Sequence, residues 1–245
     1  MNLNVLKLKL IAYCYKITCK LYQGFFTFYE NKFIQIKSPN IDFSSKGLFK
    51  LPFSNGEIFN DSENFKLIKV NDYLYLRDFS SKEISILIKK IFTKDIRKQI
   101  TYLTGFNFSI DFMIIYDRKY IPKDKREVST LKQVYSYRWH FDKPNSSNML
   151  KIFIPINISN EHGPLEVIDK INSCKIKDCR NIDNTFEKIF FKGKKDFIYG
   201  FYPTLCCHRD GIPNRKLIST QIMFQLNPNK KWMINSKLFS KGKTK

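Results

Sequence analysis

Alanine occurs once in this 245-residue chain, at Ala12; histidine occurs three times, and acidic residues (22) number about half the basic ones (43). Each shortage excludes something. With so little alanine and only nine glycines and nine prolines, the composition is that of an A+T-rich coding sequence, and lysine content is then partly a codon habit. No apolar run near the N-terminus outlasts Leu10 to Tyr15, far short of the ~20 residues a membrane span needs, so no transmembrane segment is expected. Six cysteines fall at 14, 19, 174, 179, 206 and 207. None has the C-x2-C spacing of a structural zinc site, and reduced thiols in a cytoplasmic protein are the expectation. No secretory leader is legible, because Lys7 and Lys9 interrupt the apolar start.

What is present is a core-forming composition, 43% hydrophobic and 16% aromatic, which sets disorder aside and fits one sizeable domain. The formal charge of +21 invites a polyanion partner. Ile, Asn, Phe and Lys are all abundant, however, as an A+T-rich coding sequence gives, and the lysines are scattered apart from short clusters such as Arg118 to Arg126 and Lys237 to Lys245. A solvated basic coat follows, and nucleic acid is not expected as a partner.

Lys9, Lys16 and Lys20 fall on one stripe of an N-terminal helix. That helix is expected to pack on the domain, with a membrane surface as the alternative. Residues 24–65 show no clean period and read as irregular. "LIKVNDYLYLRDF" (67–79) alternates as a strand does; Ser80 with Glu83 forms a capping box, Thr93 caps a second helix, and Gly105 closes it. Beyond it the texture becomes β-branched and aromatic: "FSIDFMIIYDRKY", "VYSYRWH", "MLKIFIPINI", "GPLEVID", "DFIYGFY" and "KLISTQIMFQL". The fold class read from this is mainly β with flanking helices (α+β), a barrel or double-sheet jelly roll. Residues 1–66 form a segment packing on it, 67–228 the core and 229–245 a basic tail.

"RWHFDKPNSSN" (138–148) sets His140 and Asp142 on one side of an extended chain. His162, in "NEHGPLEV", is expected in an exposed turn. His208, after "DFIYGFYPTLCC", is better placed as a third ligand. Two histidines and a carboxylate on a β scaffold, with positions left open, suit non-haem Fe(II). A 2-oxoglutarate cosubstrate needs a cation for its distal carboxylate; Arg215 is spaced for that, Ser219 and Gln221 share its strand face, and Lys151 can approach the cosubstrate or merely cap a strand. Tyr135 and Tyr137 fall opposite Arg138 and His140 and read as core, as do Cys206 and Cys207. Glu166 and Asp169 have no spacing that specifies acid/base catalysis.

"YRWHFDK…NMLKIFIPINISNEHGPLEVI…DFIYGFYPTLCCHRDGIPNRKLIST" resembles the core of the phytanoyl-CoA dioxygenase family over roughly residues 67 to 226. The resemblance implies a double-stranded β-helix (cupin-like) with iron on His140, Asp142 and His208, which are then the catalytic residues, and 2-oxoglutarate on Arg215. It implies hydroxylation of an unactivated C–H bond of a small molecule (lipid or acyl compound, amino acid, sugar or secondary metabolite), using O2 and releasing succinate and CO2. The Gly-Ser-His turn common in the family after "GPLEVI" is replaced by "DKINS", which bears on substrate choice. With Asp142 present, oxygen insertion is expected in place of halogenation. Two other readings stand beside this one: a nucleic-acid demethylase on the same scaffold, and a non-catalytic jelly-roll binding protein with a degenerate metal site.

Overall fold

The computed structural model describes residues 3–53, 66–126, 136–143, 146–182 and 185–234. The chain opens with helix α1 (Leu3–Phe33), then α2 (Ile41–Lys46) and strand β1 (Leu48–Pro52). The segment expected to be irregular is therefore largely regular up to Pro52; its mixture of aromatics with Ser and Asn concealed the continued helix. The stretch 67–79 is a hairpin, β2 (Leu67–Asn71) and β3 (Leu74–Arg77). Asn71 turns it, its Oδ1 accepting from the Tyr73 N–H at 2.9 Å, the Asx geometry that substitutes for a backbone turn.

Helices α3 (Ser81–Ile91) and α4 (Lys94–Thr104) begin as the sequence predicts. Ser80 Oγ accepts from the Glu83 N–H, and the Ser80 N–H donates to Glu83 Oε2 at 2.7 Å; Thr93 Oγ1 accepts from the Ile96 N–H at 3.3 Å. Gly105 ends α4 at φ +80°, where an added Cβ would lie 2.2 Å from the Lys37 carbonyl oxygen. Glycine alone tolerates that approach.

The second half alternates strands with short turns: β4 (Asn107–Lys119), α5 (Lys123–Arg126), β5 (Leu150–Ile156), β6 (Leu165–Val167), α6 (Lys170–Ser173), β7 (Ile189–Phe191), β8 (Phe197–Phe201), β9 (His208–Asp210), β10 (Ile218–Asn229) and β11 (Met233–Ile234). A large sheet runs β1-β8-β5-β10-β4-β3-β2, with β11 joined in parallel to β4; a small sheet runs β7-β6-β9. Strand β10 ends at Asn229 and β11 follows it, so residues 229, 233 and 234 of the expected tail belong to the sheet. Tyr135 lies outside the described residues. The described part of "VYSYRWH", 136–140, forms no strand, only a single bridge between His140 and His208.

Period-two alternation sorts the large sheet's side chains into two layers. Ile152, Ile154, Ile222 and Phe224 pack with Leu87, Ile88 and Ile91 of α3 and Ile96 and Ile100 of α4. Their neighbours Phe153, Tyr116, Tyr199 and Phe201 face the other way, against Leu165, Val167 and Phe191 of the small sheet. The helices thus brace one face of the large sheet, and the small sheet closes over the other as a jelly roll. Phe224, fully buried, is a side chain whose truncation to alanine costs ~3–5 kcal/mol. α1 is held near its end by Glu30 and Thr27, which bond to residues 146–148, while Leu21, Tyr22, Phe25 and Phe28 are exposed. Among the described residues, no helix is long and apolar enough to cross a membrane.

Candidate metal centre

His208 stands on β9, on the side that faces the large sheet, and is 2% exposed. The bridge that replaces the expected strand end positions its partner: the His140 N–H donates to the His208 carbonyl and the His208 N–H to the His140 carbonyl, both at 3.0 Å. Two residues on, the Asp142 N–H donates to the Pro203 carbonyl at 2.9 Å. Backbone bonds therefore fix all three residues before any ligand is considered.

One ligand atom from each of His140, Asp142 and His208 lies within 4.8 Å of the others. Asp142 Oδ1 is 3.5 Å from His140 Nε2 and 3.7 Å from His208 Nε2. Each imidazole is oriented from behind. His140 Nδ1 is 2.7 Å from the Arg138 carbonyl oxygen, and His208 Nδ1 is 3.0 Å from that of Cys206. A carbonyl only accepts, so each Nδ1 carries the proton and each Nε2 keeps its lone pair, the tautomer that a metal requires. His208 Nε2 is buried with no hydrogen-bond partner, and in such a place a cation is the partner that relieves it. The donor set fits a divalent transition metal, with nitrogen and oxygen ligands and a side left open.

The electrostatics agree with ligand-ready groups. Burial, aided by the nearby Lys151 and His140 charges, pushes His208 down to about 3, so its ring is neutral at physiological pH. Burial opposes ionisation of Asp142 but is outweighed by the His140 hydrogen bond and the Lys151 charge, leaving the carboxyl far below the usual range. For His140, burial lowers the pKa, yet the bonds to Asp142 and the Arg138 carbonyl win and raise it. Proton and metal compete for His140 Nε2, whereas His208 is free of that competition.

A cavity of about 180 Å³ opens beside this group, walled by Phe153, Leu165, Met223 and Tyr116 among others. Among the described residues Lys151 is the one lysine or arginine at its wall; its Nζ stands 2.5 Å from Asp142 Oδ2, turning Oδ1 toward the histidines. Arg215 is not brought here. It lies exposed at the surface with its guanidinium over the Tyr120 ring, because the turn before β10 carries it outward. Ser219 is fully buried and accepts from Arg118 Nη2 at 2.8 Å. Gln221 donates to Asp210 at 3.2 Å and to the Tyr116 hydroxyl. His162 sits in a 3-10 turn away from the metal group, as expected.

The residue that spacing missed is Arg118. Fully buried on β4, it pairs with Asp210 at 2.9 Å and donates to the Gly163 and Gly211 carbonyls at 3.0 Å. At Gly163 (φ +62°) an added Cβ would lie 2.4 Å from the Ile212 carbonyl carbon, so the guanidinium and the glycine together close the end of the barrel. Period two within "FMIIYDRKY" does place Ile114, Tyr116 and Arg118 on one face. That an arginine could lie on the inward face was not visible until Asp210 was placed beside it.

No family model matches the sequence, and no curated protein sequence matches it. Solved structures do match in shape. EctD from S. alaskensis with bound Fe superposes with a TM-score of 0.52 at 11% identity, over 76% of this chain and 74% of that one. HygX from Streptomyces hygroscopicus with nickel and 2-oxoglutarate bound gives 0.51 at 11% identity, over 77% and 85%. The non-heme alpha-ketoglutarate-dependent epimerase SnoN from nogalamycin biosynthesis gives 0.50 at 8%, over 76% and 80%. At such identities the likeness speaks to architecture: this chain has the jelly-roll fold shared by these enzymes.

Proposed function

We propose that the protein is a non-haem Fe(II)- and 2-oxoglutarate-dependent dioxygenase that hydroxylates a small molecule. The observation that carries this reading is the convergence of two imidazole Nε2 atoms, each with its tautomer set by a backbone carbonyl, on the Asp142 carboxylate at the mouth of a cavity. The jelly-roll fold shared with iron- and 2-oxoglutarate-bound enzymes supports it, as does the resemblance to the phytanoyl-CoA dioxygenase family.

Bound iron, with 2-oxoglutarate and O2, would supply the oxidising power to convert C–H to C–OH while the keto acid leaves as succinate and CO2. The residues do the rest. His140 Nε2, His208 Nε2 and Asp142 Oδ1 would hold the metal, a ligand set that leaves room for cosubstrate and oxygen. Lys151 holds Asp142 Oδ2 and offers the cavity's cationic partner for a cosubstrate carboxylate, the role that spacing gave to Arg215. Phe153, Leu165 and Met223 exclude water from the reacting carbon. A reducing, cytoplasmic setting suits six cysteines that are all free thiols. Intact ligands speak against the degenerate binding module, and the small, apolar-walled cavity speaks against a base-demethylating site.

Anaerobic titration with Fe(II) and then 2-oxoglutarate tests the reading. The visible charge-transfer band of the chelate is expected in the wild type and absent in His140→Ala. A folded wild type that gives no band refutes the proposal.

A further inference from the structure

The reverse side of β9 opens on a second cavity, of about 700 Å³, which no step above uses. His208 and Asp210 look toward the large sheet; Arg209 between them looks away, as period two requires. Around it gather Arg126, Arg138 and Arg180, with Trp139 and Glu166 completing the wall. The two cavities meet at Asp210, which lines both.

Among the described residues four guanidinium groups share this wall with two carboxylates, and both carboxylates are already engaged. Glu166 accepts from Arg209 Nη2 at 2.8 and 3.0 Å, and Asp210 is paired with Arg118 from behind. Arg180 forks onto Asp178, Nε to Oδ1 at 3.0 Å and Nη2 to Oδ2 at 2.8 Å, in an ion pair whose arginine side chain is 88% exposed. Arg126 and Arg138 have no carboxylate partner among the described residues; Arg126 Nε donates to the Ile121 carbonyl and Arg138 Nη2 to the Arg126 carbonyl, each at 3.0 Å. Arg209 lies over the Trp139 ring at 4.6 Å, and its Nε is buried without an acceptor. A buried donor left in that state is costly.

We propose that this cavity binds the phosphoryl group of a phosphorylated small molecule. Planar guanidinium forks match phosphate oxygens in pairs. The excess positive charge suits a phosphomonoester, which carries roughly −1.5 to −2 near neutrality. The volume lies within the roughly 300–1,000 Å³ typical of small-molecule sites. A nucleic-acid strand would call instead for an extended basic groove with a row of stacking rings. The site rests on its own residues and not on the iron reading, so either can fail alone.

Calorimetric titration of the full, metal-free chain with pyrophosphate and with orthophosphate, at constant ionic strength, tests it. Pyrophosphate is expected to bind with a dissociation constant of about 1 mM or tighter. Arg126→Gln with Arg180→Gln is expected to weaken it by about tenfold or more, and the exposed Arg180→Gln alone, which threatens no core contact, to weaken it measurably. Lys82→Gln with Lys98→Gln removes the same charge from the helical face and is expected to leave binding within about twofold. Absence of binding at about 10 mM, or equal weakening by the lysine pair, overturns the proposal. So does a single-stranded oligonucleotide that binds about a hundredfold more tightly than pyrophosphate through the same arginines, since the site would then belong to nucleic acid.

Discussion

One three-residue strand separates two environments that share almost nothing. On the inner side of β9, His208 is 2% exposed and kept neutral in a small cavity walled mostly by apolar side chains. On the outer side, Arg209 joins a guanidinium-rich cavity about four times as large. The inner site is built by backbone bonds that fix imidazoles for a metal; the outer one by flexible side chains whose charge exceeds what surrounds it. A metal centre needs deprotonated ligands held in fixed orientation, whereas an anion site needs charge and tolerates motion. Strand alternation lets one short segment serve both.

Asp210 lines both sides and Arg118 holds it, so Arg118→Met should give the largest effect. It leaves the Asp210 carboxylate buried without its partner, which costs ~3–5 kcal/mol, read as a lowered urea midpoint. Asp210→Asn in the same background should recover part of the loss. Recovery of none would mean that the bonds to Gly163 and Gly211 outweigh the ion pair.

His208→Ala should break the inner side alone. Fe(II) affinity is expected to fall by more than about 100-fold, beyond the loss typical of an outer-shell change, while pyrophosphate binding stays within about twofold. A parallel loss of both would show that the two sides are one site. Lys151→Met is expected to act more finely, weakening 2-oxoglutarate by about 10- to 100-fold, the range of one charge-assisted hydrogen bond, with a smaller change for iron. The spectral titration separates the two steps.

The smallest effect concerns the loop after Asp142. Glu30 of α1 accepts from Ser146 Oγ and from Asn148 Nδ2 at 3.1 Å. Burial raises its pKa, and those two bonds only partly offset the rise. The folded chain therefore holds this proton more tightly than the unfolded one, and stability should decline as pH rises from the ordinary glutamate range through the raised value. Glu30→Gln should remove that decline. Urea midpoints at about pH 4.5 and pH 8 for both proteins check it; identical slopes would remove Glu30 as the cause.

Local signals were legible where a few neighbouring residues decide the outcome. Ser80 with Glu83, Thr93 and Gly105 cap helices through contacts within one turn, and the strands of "MLKIFIPINI" and "KLISTQIMFQL" are rich in β-branched and aromatic residues over their own length. The continuation of α1 through "GFFTFYENKF" was not legible, since aromatics suit strand and helix alike. Nor was the hairpin within 67–79, where an alternating pattern survives a tight turn. Arg215 failed for a different reason. Spacing gives distance along the chain, and the turn before β10 sends that side chain to the surface.

What the sequence determined by itself is a mainly β fold with flanking helices, the helix caps and the three residues that converge as a metal group, because β-branched and aromatic runs mark strands and the scarcity of histidine left few candidate ligands. Only the tertiary structure decided that Lys151 and not Arg215 faces that group, that Arg118 is buried against Asp210, and that arginines from four separate segments meet behind β9. Those outcomes depend on which strands pair and in what register, and pairing across the sheet is set by the packing of the whole core.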